Sequence, residues 1–422
     1  MKYKAVAETF VSRFLMLILN FGLIIFSTNM WGSEGKGTIS IVTLDLAIVV
    51  FFSNIFAGSS VSYFASKYKI EKLLGYAYIW SVLVGISVPL LVSLFHQQDY
   101  LLYLIPLSVF SSLLAANVNF FIGKQEVRLY NLYAILQLLV HIVFIFAIIF
   151  FLKIMTVESY FLAQIFCFVI LFLISSVGLL KRCSIRNISF EKEVVTHLFN
   201  YGWKTQLSAF VQFLNNRVSF YFLEYYKGIA SVGVFSVGVA FSEAIWTVSR
   251  SLALVLYSEA LNDENKEGLI LKTKLSVKIS FITTALFIGV VLLLPAQFYT
   301  WIFGKDFSQT KLIILVLSPG ILAIAVSNIV GFYFAGINKL KILNIKSFIG
   351  FIVTIITSVF LIPRLGILGV CIVTSLSYCV SSIILLWNFY QLTHFSINDF
   401  VFSRSEIKLI LHKIKNKQKN GS

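Results

Sequence analysis

The chain has 422 residues, of which 59% are hydrophobic and 12% charged, whereas a soluble domain carries about 25% charged residues. So much apolar surface cannot be hidden from water, which excludes a soluble fold and makes lipid the solvent. The formal net charge of +16 would suit nucleic acid, but the excess sits in short segments between apolar runs and in the C-terminal tail. That is the positive-inside pattern of a polytopic membrane protein, so no nucleic-acid partner is expected.

Windows of about 20 mainly apolar residues, enough to span a bilayer, fall at 9–30, 40–64, 74–95, 101–123, 131–152, 159–180, 203–225, 231–257, 275–295, 312–336, 344–362 and 367–391. They predict twelve spans. The first run is long and lacks a small-residue cleavage site, so no cleavable signal peptide is expected. Arg13 lies in its first turns, close enough to water to snorkel. Asp45, near the outer end of the second span, caps, pairs or binds a coupling cation. Pro89 and Pro106 are expected to break the third and fourth spans. Asn20, Asn54, Asn117, Asn119 and Gln164 are expected to hydrogen-bond between helices. Gln137 and His141 share a face of the fifth span, and His141 reads more readily as a structural hydrogen bond than as a proton relay.

A basic segment at 181–202 separates six spans from six. Lys67, Lys69 and Lys72, then Lys124 and Arg128, then Lys181, Arg182, Arg186 and Lys192 fall on one side of the membrane. The positive-inside rule makes that side cytoplasmic and puts both termini there. Many carriers consist of two such halves, with the binding site where they meet. The expected division is an N-terminal lobe at 1–200, a C-terminal lobe at 201–391 and a basic cytoplasmic tail at 392–422. Gly35-Lys36-Gly37-Thr38-Ile39-Ser40-Ile41 echoes Ser231-Val232-Gly233-Val234-Phe235-Ser236-Val237 at the same place in each half.

The seventh span carries Arg217 deep in the apolar run, and a charge at that depth costs about 2.5–3.5 kcal/mol on insertion scales. Glu224 lies on the same face two turns on, and Lys204 stands at the start of the helix. Ser208, Gln212, Asn215 and Ser219 form a polar stripe beside them, with Asn216 adjacent. Such a face either lines a wet cavity or uses an Arg217–Glu224 pair to tie helices together. In the eighth span Glu243, Trp246 and Arg250 share a face, open to both functional and structural readings. Residues 295–311 are expected to hide a short interfacial helix with Trp301 and Phe303 at headgroup level, and Pro319 to bend the tenth span.

No enzyme signature is present: no GxxxxGK[ST] loop, no HExxH, and no acid or histidine cluster in a water-exposed domain. No catalytic residue, metal or cofactor is expected. Cys167, Cys183, Cys371 and Cys379 lack metal-ligand spacing and are expected as free thiols. The work of such a chain is movement across the membrane.

Four passages resemble the polysaccharide flippases, of the O-antigen transporter type, within the multidrug/oligosaccharidyl-lipid/polysaccharide exporter superfamily. They are Arg13 with Trp31-Gly32-Ser33-Glu34-Gly35-Lys36-Gly37; Gly233-Val234-Phe235-Ser236-Val237 through Phe241-Ser242-Glu243-Ala244-Ile245-Trp246; Leu317-Ser318-Pro319-Gly320-Ile321 with Ala335-Gly336-Ile337-Asn338-Lys339; and Leu361-Ile362-Pro363-Arg364-Leu365-Gly366-Ile367-Leu368-Gly369-Val370. Trp31 departs from the usual leucine, and Val370 and Cys371 from small residues.

The resemblance implies an all-α polytopic membrane protein of twelve transmembrane helices in two six-helix lobes, a V-shaped carrier with a central cavity in a bacterial inner membrane. It implies a flippase that moves a polyprenyl-pyrophosphate-linked oligosaccharide from the cytoplasmic to the outer leaflet by alternating access. Arg13, Arg217 and Arg250 fall where the family has basic cavity residues, and Arg is suited to phosphate and carboxylate. Lys204, Gln212 and Asn216 are further candidates for substrate binding; Asp45, Glu224 and Glu243 are candidates for coupling or structural charge. Expected partners are the lipid-linked substrate, the bilayer, a coupling ion (H+ or Na+) and other polysaccharide assembly proteins. The alternatives are a cation-coupled multidrug exporter, which should favour an acidic cavity; a flippase for the peptidoglycan lipid precursor, often with fourteen spans; and a polymerase or ligase, which would need a larger external loop.

Overall fold

The computed structural model describes residues 2–95, 99–182, 191–262 and 266–393. Cys183, Arg186 and the tail from 394 onward lie outside the described residues. The described chain is all-helical, with α1 (Lys2–Ala57), α2 (Ser59–Phe64), α3 (Ile70–Phe95), α4 (Leu101–Gly123), α5 (Val127–Ala147), α6 (Glu158–Leu180) and α7 (Lys192–Lys227) in its first part. There follow α8 (Ile229–Asn262), α9 (Lys266–Leu293), the short α10 (Ala296–Phe303), α11 (Thr310–Gly336), α12 (Leu340–Leu365) and α13 (Ile367–Thr393).

Ten stretches among the described residues are long and apolar enough to cross a membrane. The first, Ser12–Phe64, is 53 residues long, about twice what one crossing needs. It is broken at Gly32, whose φ of 63° and ψ of −161° suit a residue without a Cβ. The windows at 9–30 and 40–64 fall on either side of that break, the second running across Gly58 from α1 into α2. Helix α7 is not among the ten; its polar stripe and charges lower its hydropathy.

Contacts group the described residues into two compact units, one within Met1–Val237 and Gln297–Gln309, the other within Gly238–Ala296 and Thr310–Ser422. The first unit packs Ile55, Phe56, Leu73, Leu114, Phe121 and Leu171 into one core and Ile39, Leu46, Leu104 and Phe161 into another. The second packs Leu269, Val277, Ile329, Phe334, Leu385 and Phe389 together. Many buried polar side chains are small. Ser347 and Thr354, for example, donate to carbonyls one turn back, at Leu343 (3.0 Å) and Gly350 (2.9 Å). Small residues let helices approach closely where lipid offers no hydrophobic drive to association.

Several expectations about single residues are corrected. Helices α3 and α4 run unbroken through Pro89 and Pro106, since packed neighbours can satisfy the backbone groups a membrane proline frees. Asn20 donates within its own helix, to the Met16 carbonyl at 2.9 Å. Asn117 and Asn119 do bond between elements: Asn117 to Ser175 Oγ at 2.8 Å and Asn119 to the Ala57 carbonyl at 3.3 Å. His141 Nε2 lies 3.1 Å from the Tyr160 carbonyl. In α10, Trp301 is exposed, whereas Phe303 is buried within the protein. Cys167, Cys371 and Cys379 are free thiols.

Candidate functional site

The site is built where the second segment of α1 packs on α7. The two run antiparallel, with Gly202 against the Ile55 carbonyl, the Phe51 and Phe213 rings 5.0 Å apart, and the Tyr221 hydroxyl donating to Asp45 Oδ1 at 2.7 Å. The register is even along its length because side chains on one face of α7 recur every three or four residues. Arg217, Tyr221 and Glu224 follow that spacing and share a face.

Asp45 is fully buried. A buried carboxylate is tolerated only when hydrogen-bonded or paired, and Tyr221 supplies one donor. Arg217 is half-buried, and its guanidinium lies 5.5 Å from the centroid of the Phe220 ring, a cation–π arrangement that helps hold a cation away from water. One turn before it, Gln212 Nε2 donates to Asn216 Oδ1 at 3.3 Å. Farther down, Gln206 Nε2 donates to Ser59 Oγ at 3.1 Å, and Lys204 is exposed.

The structure thus brings Asp45 to Tyr221 on the α7 face that also carries Arg217 and Glu224, while Gln212 and Asn216 bond to each other on a different side of α7. Arg13, also in the first unit, is exposed near the start of α1, and among the described residues no contact places it on the α1–α7 seam. Glu243 and Arg250 lie on α8 in the second unit, half-buried and exposed respectively. Trp246, between them, packs against Tyr378, ring centroids 5.8 Å apart, and Ser249 donates to the Ala325 carbonyl at 2.8 Å.

Sequence reasoning missed two features. Lys36, between the expected spans 9–30 and 40–64, sits inside α1, half-buried. The two echoing glycine segments also meet. A Cβ on Gly37 would overlap the Ile229 carbonyl, and one on Gly233 would overlap the Ser33 carbonyl. Their shared small-residue pattern was the available signal. Beside that crossing Asp306 accepts the Ser33 N–H at 3.0 Å and the Ser33 hydroxyl at 2.8 Å, capping the helix that restarts after Gly32. Trp31, the departure from leucine, donates to the Met155 carbonyl at 2.8 Å.

No family model matches the chain, and no curated protein matches it by sequence. Solved structures do match its fold. The lipid II flippase MurJ, in an inward closed conformation, superposes with a TM-score of 0.74 at 16% identity, over 94% of this chain and 89% of that one. A MOP superfamily transporter from Pyrococcus furiosus, described as having a binding pocket of reverse polarity, gives 0.64 at 15%, over 93% and 96%. The MATE multidrug transporter DinF-BH gives 0.65 at 15%, over 95% and 96%. These neighbours are transporters and flippases, not enzymes, and the chain has the fold of MOP superfamily transporters.

Proposed function

We propose that this protein is a flippase for a polyprenyl-pyrophosphate-linked oligosaccharide, moving it from the cytoplasmic to the outer leaflet by alternating access. The observation that carries the reading is Arg217. It is half-buried on α7, which this reading takes as the seventh span, on the face that also presents Tyr221 and Glu224. Keeping a charge there is costly, and charges at membrane depth usually mark a substrate or ion path. Arg offers a planar fork matched to phosphate.

Arg13, Arg217 and Arg250 are the proposed head-group contacts, with Lys204, Gln212 and Asn216 lining the polar path. Asp45, Glu224 and Glu243 hold coupling or structural charge, with H+ or Na+ as the ion. Twelve spans, the lobes 1–200 and 201–391, the tail 392–422, a bacterial cytoplasmic-membrane location with both termini cytoplasmic, and a place beside polysaccharide assembly proteins belong to the same proposal. A flippase for the peptidoglycan lipid precursor is the second reading, favoured by the likeness to MurJ.

The test is complementation in two bacterial strains. One lacks its repeat-unit flippase and carries the cognate sugar-assembly genes; the other is depleted of its peptidoglycan-precursor flippase. Restored surface polymer in the first, falling roughly tenfold or more with Arg217→Ala at equal membrane insertion, is expected. Rescue of the second strain alone would transfer the reading to the peptidoglycan precursor. Rescue of neither would overturn both.

A further inference from the structure

The turn that closes α2 meets the start of α7 in a group of rings around one cation, Lys67. Its backbone is fixed first: the Lys67 and Tyr68 N–H groups both donate to the Phe64 carbonyl, at 2.9 and 2.8 Å. The Lys67 ammonium donates to the Tyr63 hydroxyl at 3.0 Å. It also lies 4.3 Å from the centroid of the Tyr63 ring and 5.7 Å from that of Phe64, both within cation–π range. Side chains of α7 hold these rings in turn. Tyr63 stacks on Tyr201, centroids 4.4 Å apart and planes 13° from parallel. Phe64 lies nearly parallel to His197 at 6.1 Å, and His197 Nδ1 meets the Tyr68 hydroxyl at 2.8 Å. Tyr63, Lys67 and His197 are nonetheless exposed.

Two other cations of the first unit are handled differently. Lys72 pairs with Glu191 and Arg182 with Glu126, each at 2.5 Å. Among the described residues no carboxylate pairs with Lys67. Rings hold a cation in place without cancelling its charge, so the charge stays available to an anion. The donor count agrees. An ammonium has no acceptor, so the Tyr63 oxygen accepts from Lys67 and its own O–H is left to donate outward. The remaining Lys67 N–H groups and that O–H are donors on two atoms 3.0 Å apart, an arrangement that can take two oxygens of one phosphate. Side chains ordered in advance lose less freedom when the ligand binds.

Position selects the source of the phosphate. Lys67 lies in the short turn between the apolar stretches Ser12–Phe64 and Ile70–Leu94, where the head groups of a bilayer would lie. On α7 the exposed Trp203 stacks on Phe199 with planes 12° from parallel, and tryptophan is enriched at that level of a membrane. We propose that Lys67 and Tyr63 form a binding site for the phosphate of an anionic lipid head group, in the leaflet that the positive-inside rule makes cytoplasmic. The acyl chains stay in the bilayer. The site is separate from Arg217 and does not depend on the flippase reading.

The experiment titrates the purified full chain in detergent with three probes: phosphatidylglycerol, a polyprenyl diphosphate and water-soluble glycerol phosphate. At least one of the two lipids is expected to bind, with Lys67→Gln weakening it roughly tenfold or more, the scale of a charge-assisted hydrogen bond. Lys67→Arg should retain binding. Tyr63→Phe, which keeps the ring and removes the O–H, should weaken it several-fold. Lys69→Gln, at an exposed cation of the same turn, should change nothing. Lys67→Met, which keeps the apolar stem, is the second variant if Lys67→Gln does not fold. Loss of phosphatidylglycerol alone assigns the site to bulk membrane lipid, and loss of the polyprenyl diphosphate assigns it to the carrier lipid. Equal weakening by Lys69→Gln and Lys67→Gln would overturn the proposal, since any surface charge would then serve. Glycerol phosphate binding as tightly as the lipids, or neither lipid binding the unaltered protein, would overturn it as well.

Discussion

Asp45 carries no exposed surface in a chain whose solvent is lipid, and Tyr221 reaches it across 2.7 Å. Tyr221→Phe would remove that donor and keep the ring. A buried carboxylate that loses one donor costs about 1–3 kcal/mol. The thermal midpoint of the purified protein should drop in Tyr221→Phe, while Tyr225→Phe, at an exposed position of the same helix, should leave it unchanged. Equal midpoints would show that the bond contributes nothing. At this scale the sequence was partly legible. Arg217 and Glu224 could be placed on one face by spacing, because the period of a helix is local. The partner Asp45 could not, because it comes from a helix far away in the chain. His141 was read as structural on general grounds, and its ring lies on the Tyr160 carbonyl.

The helices were legible where apolar runs end in turns and charges. They were less so where one helix restarts after a single residue, at Gly32, or where proline is carried inside a packed helix. The glycine echo predicted a similarity between segments but not that the segments touch, since periodicity does not reveal which helices meet. Gly233→Val would drive a side chain into the Ser33 carbonyl, and overpacking of this kind costs about 1–3 kcal/mol or more. Gly289, with nothing within 4 Å of its would-be Cβ, is the matched control. Monodisperse yield in detergent should fall for Gly233→Val and hold for Gly289→Val; equal yields would argue against a tight crossing. Asp306→Ala removes the acceptor for the Ser33 N–H and hydroxyl. A lost helix cap costs about 0.5–2 kcal/mol, so a lower thermal midpoint is expected for it as well, with Asp306→Asn falling less because the amide oxygen still accepts.

For the whole molecule, the fold is that of MOP superfamily transporters. That fold serves proteins described as a lipid II flippase and as multidrug transporters, and a shared fold does not assign a function. A lipid-linked anion is proposed here from the site and not from the fold. There Arg217 is half-buried beside the Phe220 ring, and the planar Arg fork suits phosphate. The most direct measurement is translocation in proteoliposomes containing the purified chain, with a labelled polyprenyl-diphosphate oligosaccharide followed from one leaflet to the other and a cationic dye as the competing cargo. The account predicts that the lipid-linked sugar crosses, that Arg217→Ala slows it roughly tenfold or more, and that the dye is not moved. Transport of the dye without the lipid-linked sugar would contradict it.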